Sequence, residues 1–347
     1  MRITRWKTIA LLLGVSVAFA CAAPRASADT VPQFVLATAN NMNHLPEFVG
    51  VEKGIFVKHG IDLKLKVLGT GAETMRAFQS GNAQFMTVTP TTMAAAYNAG
   101  VPLKAVVVIM GNASRAYYDD MLAVTARKGS GIRPGHPEDL AGKRVGMVVG
   151  GTGEAYLRDL LAAKGVDPTK VSFVNVPPSS SVSAMRTGAI DAESTWEPYG
   201  TMILKEVPGS YLVDRGGKYL GYGLYIATSD AFIASHPKVI QELTDAFAES
   251  EAYVRRHPHE AAMIATRWIE GLTPAEAETA IKYMDFDPRF SVNTLQAANR
   301  EQDQLLKLGR IHKLVDFTKE IDTKYVAEAM RTEPQAFSDL KPVKAMP

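Results

Sequence analysis

The sequence predicts an α/β protein of two similar lobes, each a mainly parallel sheet flanked by helices, with a cleft between them. One observation is a repeated pattern: residues 75–85 and 185–192 each carry a helix that ends on glycine and leads into a strand. Another is the alternation of apolar, β-branched runs with helical patterns, which is typical of βαβ units. The third is length, because about 319 residues remain after a predicted leader, more than one comfortable hydrophobic core.

The first part of the chain is predicted to build most of one lobe. Gly60 and Gly100 follow helical patterns as C-terminal stops. Strands are predicted at 34–37, 63–68, 85–88 and 104–110, and helices at 46–58, 72–80 and 91–98.

A second, smaller series follows the turn-rich stretch 129–137. Its strands are predicted at 144–149, 171–176 and 189–193, and its helices at 154–164, 180–187 and 197–205. This series predicts a second βαβ lobe inserted into the first.

The remainder of the chain is predicted to return to the first lobe. Only helical patterns follow the strand at 221–228, and helices without a sheet of their own must pack on an existing one. We therefore predict two hinge crossings, with crossing strands near 121–126 and 221–228. The helices are predicted at 237–256, 259–270, 274–285, 292–308 and 319–331. The predicted organisation is a signal peptide at 1–28, lobe 1 at 29–120, lobe 2 at 121–220 and the rest of lobe 1 at 221–347.

The first 28 residues have the pattern of a secretory signal peptide: a basic start, a short apolar run at 9–20, and Ala26-Ser27-Ala28 before the cleavage point. The general secretory route is expected, with cleavage after Ala28. Cys21, the only cysteine, leaves open a lipoprotein anchor. Without the leader the chain has no cysteine, which excludes disulfides and thiol chemistry.

The charge balance excludes two classes of partner. Four of the 38 basic residues and none of the 36 acidic residues lie in the leader, so 34 basic residues remain against 36 acidic ones. Neither a nucleic-acid footprint nor a polybasic membrane patch is left. We expect a monomer that binds a small solute and no nucleic acid.

Ligands of open α/β sheets lie beyond the carboxyl ends of the strands. The loops at those ends are rich in Ser, Thr, Asn and Gly, which suits a small polar solute. The predicted ligand-binding residues of lobe 1 are Asn43, His44, Thr70, Gly71, Thr89 and Thr91. Those of lobe 2 are Gly151, Thr152, Gly153, Ser179, Ser180, Trp196 and Glu197, and Arg115 and Tyr222 lie near the crossings.

Three of these sites have two interpretations each. The loop at 150–153 has free N–H groups for an oxyanion or forms a plain tight turn. Ser179 and Ser180 contact ligand or cap the helix that follows. Glu197 accepts hydrogen bonds from ligand or stabilises its helix, and in the first case replacing it should weaken binding without changing the stability of the empty protein.

Arg115 and the aromatic candidates also have two interpretations each. In one interpretation the Arg115 guanidinium binds a carboxylate or sulfonate through two hydrogen bonds. In the other, Arg115 is a solvated surface residue. Trp196 and Tyr222 stack on a planar ligand or belong to the core.

No signature of catalysis or of a metal site is present. His257-Pro258-His259-Glu260 lacks the spacing that places two histidines on one helical face. No Gly-x-Ser-x-Gly sequence occurs. We therefore expect no enzyme activity, cofactor or metal.

The chain resembles the periplasmic substrate-binding proteins of ABC importers of the nitrate/sulfonate/taurine type, related to proteins that bind thiamine pyrimidine precursors. The resemblance rests on Leu45-Pro46, 52–62, Ser80-Gly81, 100–103, 138–146, 188–192 and Trp196-Glu197-Pro198. It implies the two-lobed periplasmic-binding-protein (type II) fold. It also implies a periplasmic protein that delivers its solute to an ABC permease with its ATPase.

The resemblance leaves the solute open among sulfonates, carboxylates and pyrimidine-like compounds, because the loops differ among relatives. Two alternative functions remain open. One is a secreted sensor domain that partners a membrane receptor, and the other is an iron-dependent thiamine-pyrimidine synthase. The synthase has a cysteine-rich motif that this chain lacks.

Overall fold

The computed structural model describes residues 31–69 and 71–347. The predicted leader, Cys21 and the candidate Thr70 lie outside the described residues. Residues 31–347 belong to one compact unit. Among the described residues, no helix is long and apolar enough to cross a membrane.

The first sheet has five strands in the order β2-β1-β3-β10-β4. Strand β10 runs antiparallel to both neighbours, and the other four strands run in one direction. The strands are β1 (Gln33–Ala39), β2 (Asp62–Leu68), β3 (Phe85–Val88), β4 (Lys104–Gly111) and β10 (Gly223–Thr228). Every residue of β3 and β10 is buried, as expected for central strands covered by helices on both faces.

The helices that accompany this sheet come from both ends of the chain. The N-terminal ones are α1 (Leu45–Glu52), α2 (Ile55–Lys58), α3 (Gly71–Gln79) and α4 (Pro90–Asn98). The C-terminal ones are α8 (Asp230–Ser235), α9 (Pro237–Arg256), α10 (Pro258–Trp268), α11 (Pro274–Ala280), α12 (Val292–Lys307), α13 (Phe317–Glu320) and α14 (Lys324–Thr332). The long helix α9 packs against α1, α14 and β4. We call this sheet with its helices lobe 1.

The second sheet has the order β7-β6-β8-β5-β9, with β5 antiparallel to its two neighbours. Its strands are β5 (Leu122–Ala126), β6 (Arg144–Met147), β7 (Ser172–Asn175), β8 (Ala192–Trp196) and β9 (Tyr211–Arg215). Its helices are α5 (Thr152–Ala163), α6 (Ser181–Thr187) and α7 (Tyr199–Glu206). We call this sheet with its helices lobe 2, and the two sheets share one strand order.

The chain crosses between the lobes twice, after β4 and after β9, and the two connections bond to each other. Tyr118 donates its N–H to Leu220 at 3.1 Å, and Tyr222 donates its N–H to the Tyr118 carbonyl at 2.9 Å. The Asp119 carboxylate accepts the N–H groups of Lys218, Tyr219 and Leu220. We call these paired connections the two-strand hinge. The domain boundaries at 120 and 220 stay a prediction.

Several of the predicted elements differ from the structure. The helix at 46–58 is interrupted at Gly54, whose φ of 68° is left-handed. The strand at 189–193 begins three residues later, at Ala192, so Trp196 ends a strand and helix α7 begins only at Tyr199. Strand β9 and helix α8 were not predicted, because both are short and carry weak periodicity.

Candidate functional site: the cleft between the lobes

The carboxyl ends of the parallel strands in both sheets lead into the loops that the sequence singles out, and at that edge the lobes meet. Tyr199 of lobe 2 donates its hydroxyl to the carbonyl of Asn40 in lobe 1, at 3.3 Å. Arg215 of lobe 2 lies over the ring of Tyr283 at 3.9 Å. These two contacts bring the lobes together at this edge, and we call the residues at the strand ends of each lobe its wall. The binding role of the candidate residues stays a prediction.

In the lobe 1 wall, Asn43 and Tyr222 bond to each other. The Asn43 amide donates to the Tyr222 hydroxyl at 2.9 Å, and the Asn41 side chain fixes the Asn43 backbone N–H at 3.0 Å. The other amide atom, Asn43 Oδ1, is buried and has no hydrogen-bond partner among the described residues. A buried acceptor without a partner is uncommon, and a ligand donor would satisfy it.

The N-terminus of α4 follows strand β3 of lobe 1. Thr89 caps the helix, because its side chain accepts the Thr92 N–H at 3.2 Å. Thr91 donates both its hydroxyl, at 2.6 Å, and its backbone N–H, at 3.3 Å, to Glu301 Oε2 on α12. Burial raises the pKa of Glu301 to about 8, although the two bonds from Thr91 oppose the shift.

In the lobe 2 wall, the glycine-rich turn before α5 brings helix and sheet into close contact. A Cβ atom on Gly153 would lie 2.6 Å from the Ser194 carbonyl oxygen in β8, so only glycine fits there. The N–H of Gly150 donates to Glu154 Oε2 at 2.8 Å. The N–H groups of Thr152 and Gly153 donate to no described residue, as the first turn of a helix leaves donors open.

Trp196 and Tyr199 continue the lobe 2 wall from the end of β8. Their rings pack edge to face with centroids 6.4 Å apart. The indole Nε1–H of Trp196 is buried and finds no acceptor in the described part of the chain. Both walls therefore present polar groups that lack a partner within residues 31–69 and 71–347.

The surroundings of Glu197 favour one of the two interpretations made from the sequence. It lies between β8 and α7, is fully buried, and pairs with Arg215 at 2.6 Å. Its other oxygen accepts the backbone N–H of Thr201 at 3.2 Å. The ion pair and this hydrogen bond both lie inside lobe 2, although Oε1 accepts no hydrogen bond of regular geometry among the described residues. A buried ion pair within one lobe favours a structural role over direct ligand contact.

The remaining predicted residues have other surroundings. His44 Nδ1 lies 2.8 Å from the Thr38 hydroxyl and 2.9 Å from Glu47, so its ring belongs to a buried network. Arg115 lies between Asp120 at 2.9 Å and Asp285 at 2.6 Å, beside the hinge. Three more candidate residues are exposed to solvent: Gly71, Ser179 and Ser180.

Sequence reasoning missed residues in the C-terminal part of lobe 1 that contact lobe 2. Arg310 contacts Glu154 of α5 at 2.6 Å, and Gln304 donates to Asp159 of the same helix. Glu301 was missed as well, because a glutamate on an amphipathic helix looks like a solvated residue in the sequence. Its only sequence signal is that it lies one turn before Leu305, on the buried face of α12.

Residues 41–261 match the protein family described as NMT1/THI5 like. The chain belongs to this family. The family match covers the loop after β1, strands β2 to β4 and β10, all of lobe 2 and both crossings, so every candidate residue named from the sequence lies within it.

Two relatives illustrate the breadth of the NMT1/THI5-like family. A protein of Brucella abortus described as a binding protein is 24% identical over 274 residues, which is 78% of this chain and 81% of that protein. The taurine-binding periplasmic protein of Escherichia coli is 27% identical over 210 residues, 59% of this chain and 60% of that protein.

Solved structures share the fold and little sequence. The alkanesulfonate-binding protein SsuA of Xanthomonas axonopodis pv. citri, bound to MOPS, superposes with a TM-score of 0.72 at 16% identity, covering 84% of this chain and 98% of SsuA. A desulfurization enzyme, DszB, superposes with a TM-score of 0.66 at 15% identity over 87% of this chain and 99% of the enzyme. The predicted two-lobed fold and the predicted family are thus confirmed, and the fold by itself hosts both binding and catalysis.

Proposed function

We propose that this protein is the periplasmic solute-binding component of an ABC importer, which captures a small organic solute between its lobes and delivers it to a permease. The relatives described above as binding proteins support this proposal. The arrangement of two lobes joined by a two-strand hinge supports it as well. Hinge closure on a solute is the ordinary mode of action of such two-lobed proteins.

The observation that carries the proposal is that each wall has a buried polar atom with no hydrogen-bond partner in the part of the chain that the structure describes. Asn43 Oδ1 lies in lobe 1 and Trp196 Nε1 in lobe 2. A solute that bonds to both atoms gains contacts only when the lobes are together, so binding favours the closed arrangement. The proposed site is Asn43, Tyr222, Thr152, Gly153, Trp196 and Tyr199.

The proposed site contains no pair of groups arranged for acid–base or nucleophilic chemistry. Tyr222 and Tyr199 are held as neutral donors, because burial raises the pKa of both phenols, that of Tyr199 to about 12. Neither hydroxyl can serve as a base near neutral pH. Capture without conversion is the activity that these side chains support best.

Native mass spectrometry of protein purified from its own host tests the proposal. We expect the chain, with its leader removed, to carry one small molecule that can be identified, dialysed away and rebound. Recovery of that molecule unchanged after prolonged incubation supports binding. Its conversion to a product, or protein that never carries a solute, contradicts the proposal.

A further inference from the structure

We infer that Arg215 is a positioning residue that holds the lobe 2 wall against lobe 1. Glu197 orients its guanidinium, the guanidinium lies over the ring of Tyr283 in lobe 1, and this contact sets the angle at which the lobes meet. The inference rests on the proposed function, because that angle matters when the lobes enclose a solute. It gives Glu197 a role in binding that needs no contact with the ligand.

The lobe 2 end of the contact is fixed by two acceptors. Arg215 is the last residue of β9, and its Nη1 lies 2.6 Å from the Glu197 carboxylate. The same nitrogen donates to the carbonyl of Asp120, in the first crossing, at 3.3 Å. Because Glu197 is fully buried and the Arg215 side chain is only 12% exposed, little water competes for the pair. The guanidinium is therefore held in place relative to the lobe 2 wall and the hinge.

The partner of the guanidinium on the other side belongs to lobe 1. Arg215 Cζ lies 3.9 Å from the centroid of the Tyr283 ring, the shortest distance between a cation and an aromatic ring in the described residues. At this separation the ring attracts the charge electrostatically and packs against the planar group. Such a contact requires the two groups to face each other, so it is sensitive to a rotation of one lobe against the other.

Tyr283 is held in lobe 1 beside the hinge. It ends the short 3-10 helix Ile281–Tyr283, and its carbonyl accepts the Tyr118 hydroxyl at 3.2 Å. The carbonyl of Asp285 accepts the N–H of Gly111, the last residue of β4, at 3.0 Å. The ring thus moves with lobe 1 and the guanidinium with lobe 2, so hinge motion changes their separation or tilt.

The contact acts on the part of the wall that the proposed site uses. Glu197 follows Trp196 and precedes Tyr199, whose hydroxyl donates to the Asn40 carbonyl of lobe 1 at 3.3 Å. The turn between β8 and α7 is therefore tied to lobe 1 at two points, directly through Tyr199 and through Glu197 by way of Arg215. Loss of the second tie should let the turn tilt away from lobe 1. A solute that bonds to both walls would then bind less tightly.

Titration calorimetry with the solute retained from the host tests the role of the ring. Tyr283→Leu removes the aromatic face and should weaken binding about threefold to thirtyfold, the range for an arginine over an aromatic ring. Tyr283→Phe keeps the ring and should stay within about twofold of the wild type. Tyr97→Leu is the matched control, because it removes a ring that lies 5.3 Å from Lys313 within lobe 1. This control should leave the affinity unchanged.

A double-mutant cycle tests the part played by Glu197. Glu197→Gln keeps the length of the side chain and an oxygen for Arg215 but removes the charge that holds the guanidinium, so it should weaken binding. In the Tyr283→Leu background the same substitution should add little further loss, because both residues act through one guanidinium. Fully additive losses would mean that Glu197 acts on the solute independently and would contradict the inference. Circular dichroism verifies that each variant is folded.

The distance between the lobes tests the inference without any solute. Cys21, the only cysteine, lies in the predicted leader, so Lys170→Cys and Lys238→Cys provide two exposed labelling positions, one in each lobe. Electron spin resonance of the two spin labels gives the distribution of distances between the lobes. Tyr283→Leu should shift this distribution toward longer distances, and Tyr283→Phe should restore the wild-type distribution.

The inference is wrong if Tyr283→Leu binds the retained solute as tightly as the wild type, or if it leaves the distances between the labels unchanged. It is also wrong if Tyr283→Phe loses as much affinity as Tyr283→Leu, since the ring would then not be the group that matters. The proposed function is judged separately. A solute that binds equally well to every variant would overturn only the inference, and protein that never carries a solute would overturn the proposed function while the label distances still decide the role of Tyr283.

Discussion

Glu154 of lobe 2 and Arg310 of lobe 1 form an ion pair across the lobes, with Oε1 2.6 Å from Nη2. The same carboxylate accepts the Gly150 N–H and pairs with Arg158 of its own helix. These bonds hold the pKa of Glu154 below its ordinary value although burial opposes them. One residue thus ties the glycine-rich turn of lobe 2 to the segment that follows α12 in lobe 1.

We expect Arg310→Ala to weaken solute binding by about twofold to fivefold, because a partly exposed ion pair contributes up to about 1 kcal/mol. Glu154 keeps Arg158, so the melting temperature should change little. Titration of the retained solute at low and high salt measures the effect, which salt should reduce. Arg331→Ala is the control, since it removes an exposed pair within α14. Equal losses in the two variants would contradict a cross-lobe role.

Trp196→Phe should raise the dissociation constant of the solute by about threefold to tenfold, the range for one neutral hydrogen bond. The variant removes the Nε1–H donor, which has no acceptor among the described residues, and keeps most of the ring contact with Tyr199. The ligand-free stability should therefore stay within about 0.5 kcal/mol, measured by urea unfolding. Unchanged affinity would remove Trp196 from the site.

Glu197→Ala should destabilise the ligand-free protein by about 3–5 kcal/mol, because it leaves the guanidinium of Arg215 without its buried partner. This reverses the expectation from sequence, where a ligand-facing Glu197 could be removed without a change in stability. Urea unfolding of the variant and of Glu197→Ala/Arg215→Ala measures the cost. Normal stability with lost affinity would restore the ligand-binding interpretation.

Stability should fall as pH rises from about 5 to about 8. Burial raises the pKa of Glu193 and of Glu301 to about 8, so the folded protein holds two protons that the unfolded chain releases above about 4.5. The unfolded state then binds fewer protons, and each group lowers the free energy of unfolding by up to about 1.4 kcal/mol per pH unit in that window.

Glu193→Gln should make the fall of the free energy of unfolding with pH less steep, because the amide has no proton to release. The amide oxygen can still accept the hydrogen bond from the Ser181 hydroxyl. Urea unfolding between pH 5 and 8 measures the slope, and Glu206→Gln serves as a control outside the core. A slope that is unchanged in Glu193→Gln would mean that this carboxyl is ionised in the fold.

The sequence predicted the two lobes because periodicity and glycine stops are local signals, and central strands such as β3 had the predicted bounds. It predicted that Asn43, Gly153 and Trp196 lie near strand ends for the same reason, and they lie after β1, in the first turn of α5 and at the end of β8. It could not predict the partners of Glu197 and Glu301. Those partners, Arg215 and Thr91, are 18 and 210 residues away, and only the folded chain brings them together.

Solution scattering of the solute-free protein, recorded before and after the retained solute is added back, tests most directly whether the two lobes close on a ligand. The account predicts a smaller radius of gyration at saturation, because hinge motion at 112–121 and 216–222 brings the walls together. Asn43→Ala should require more solute for the same change, since it removes one lobe 1 contact. A radius that stays constant while the solute saturates the site would contradict capture between the lobes.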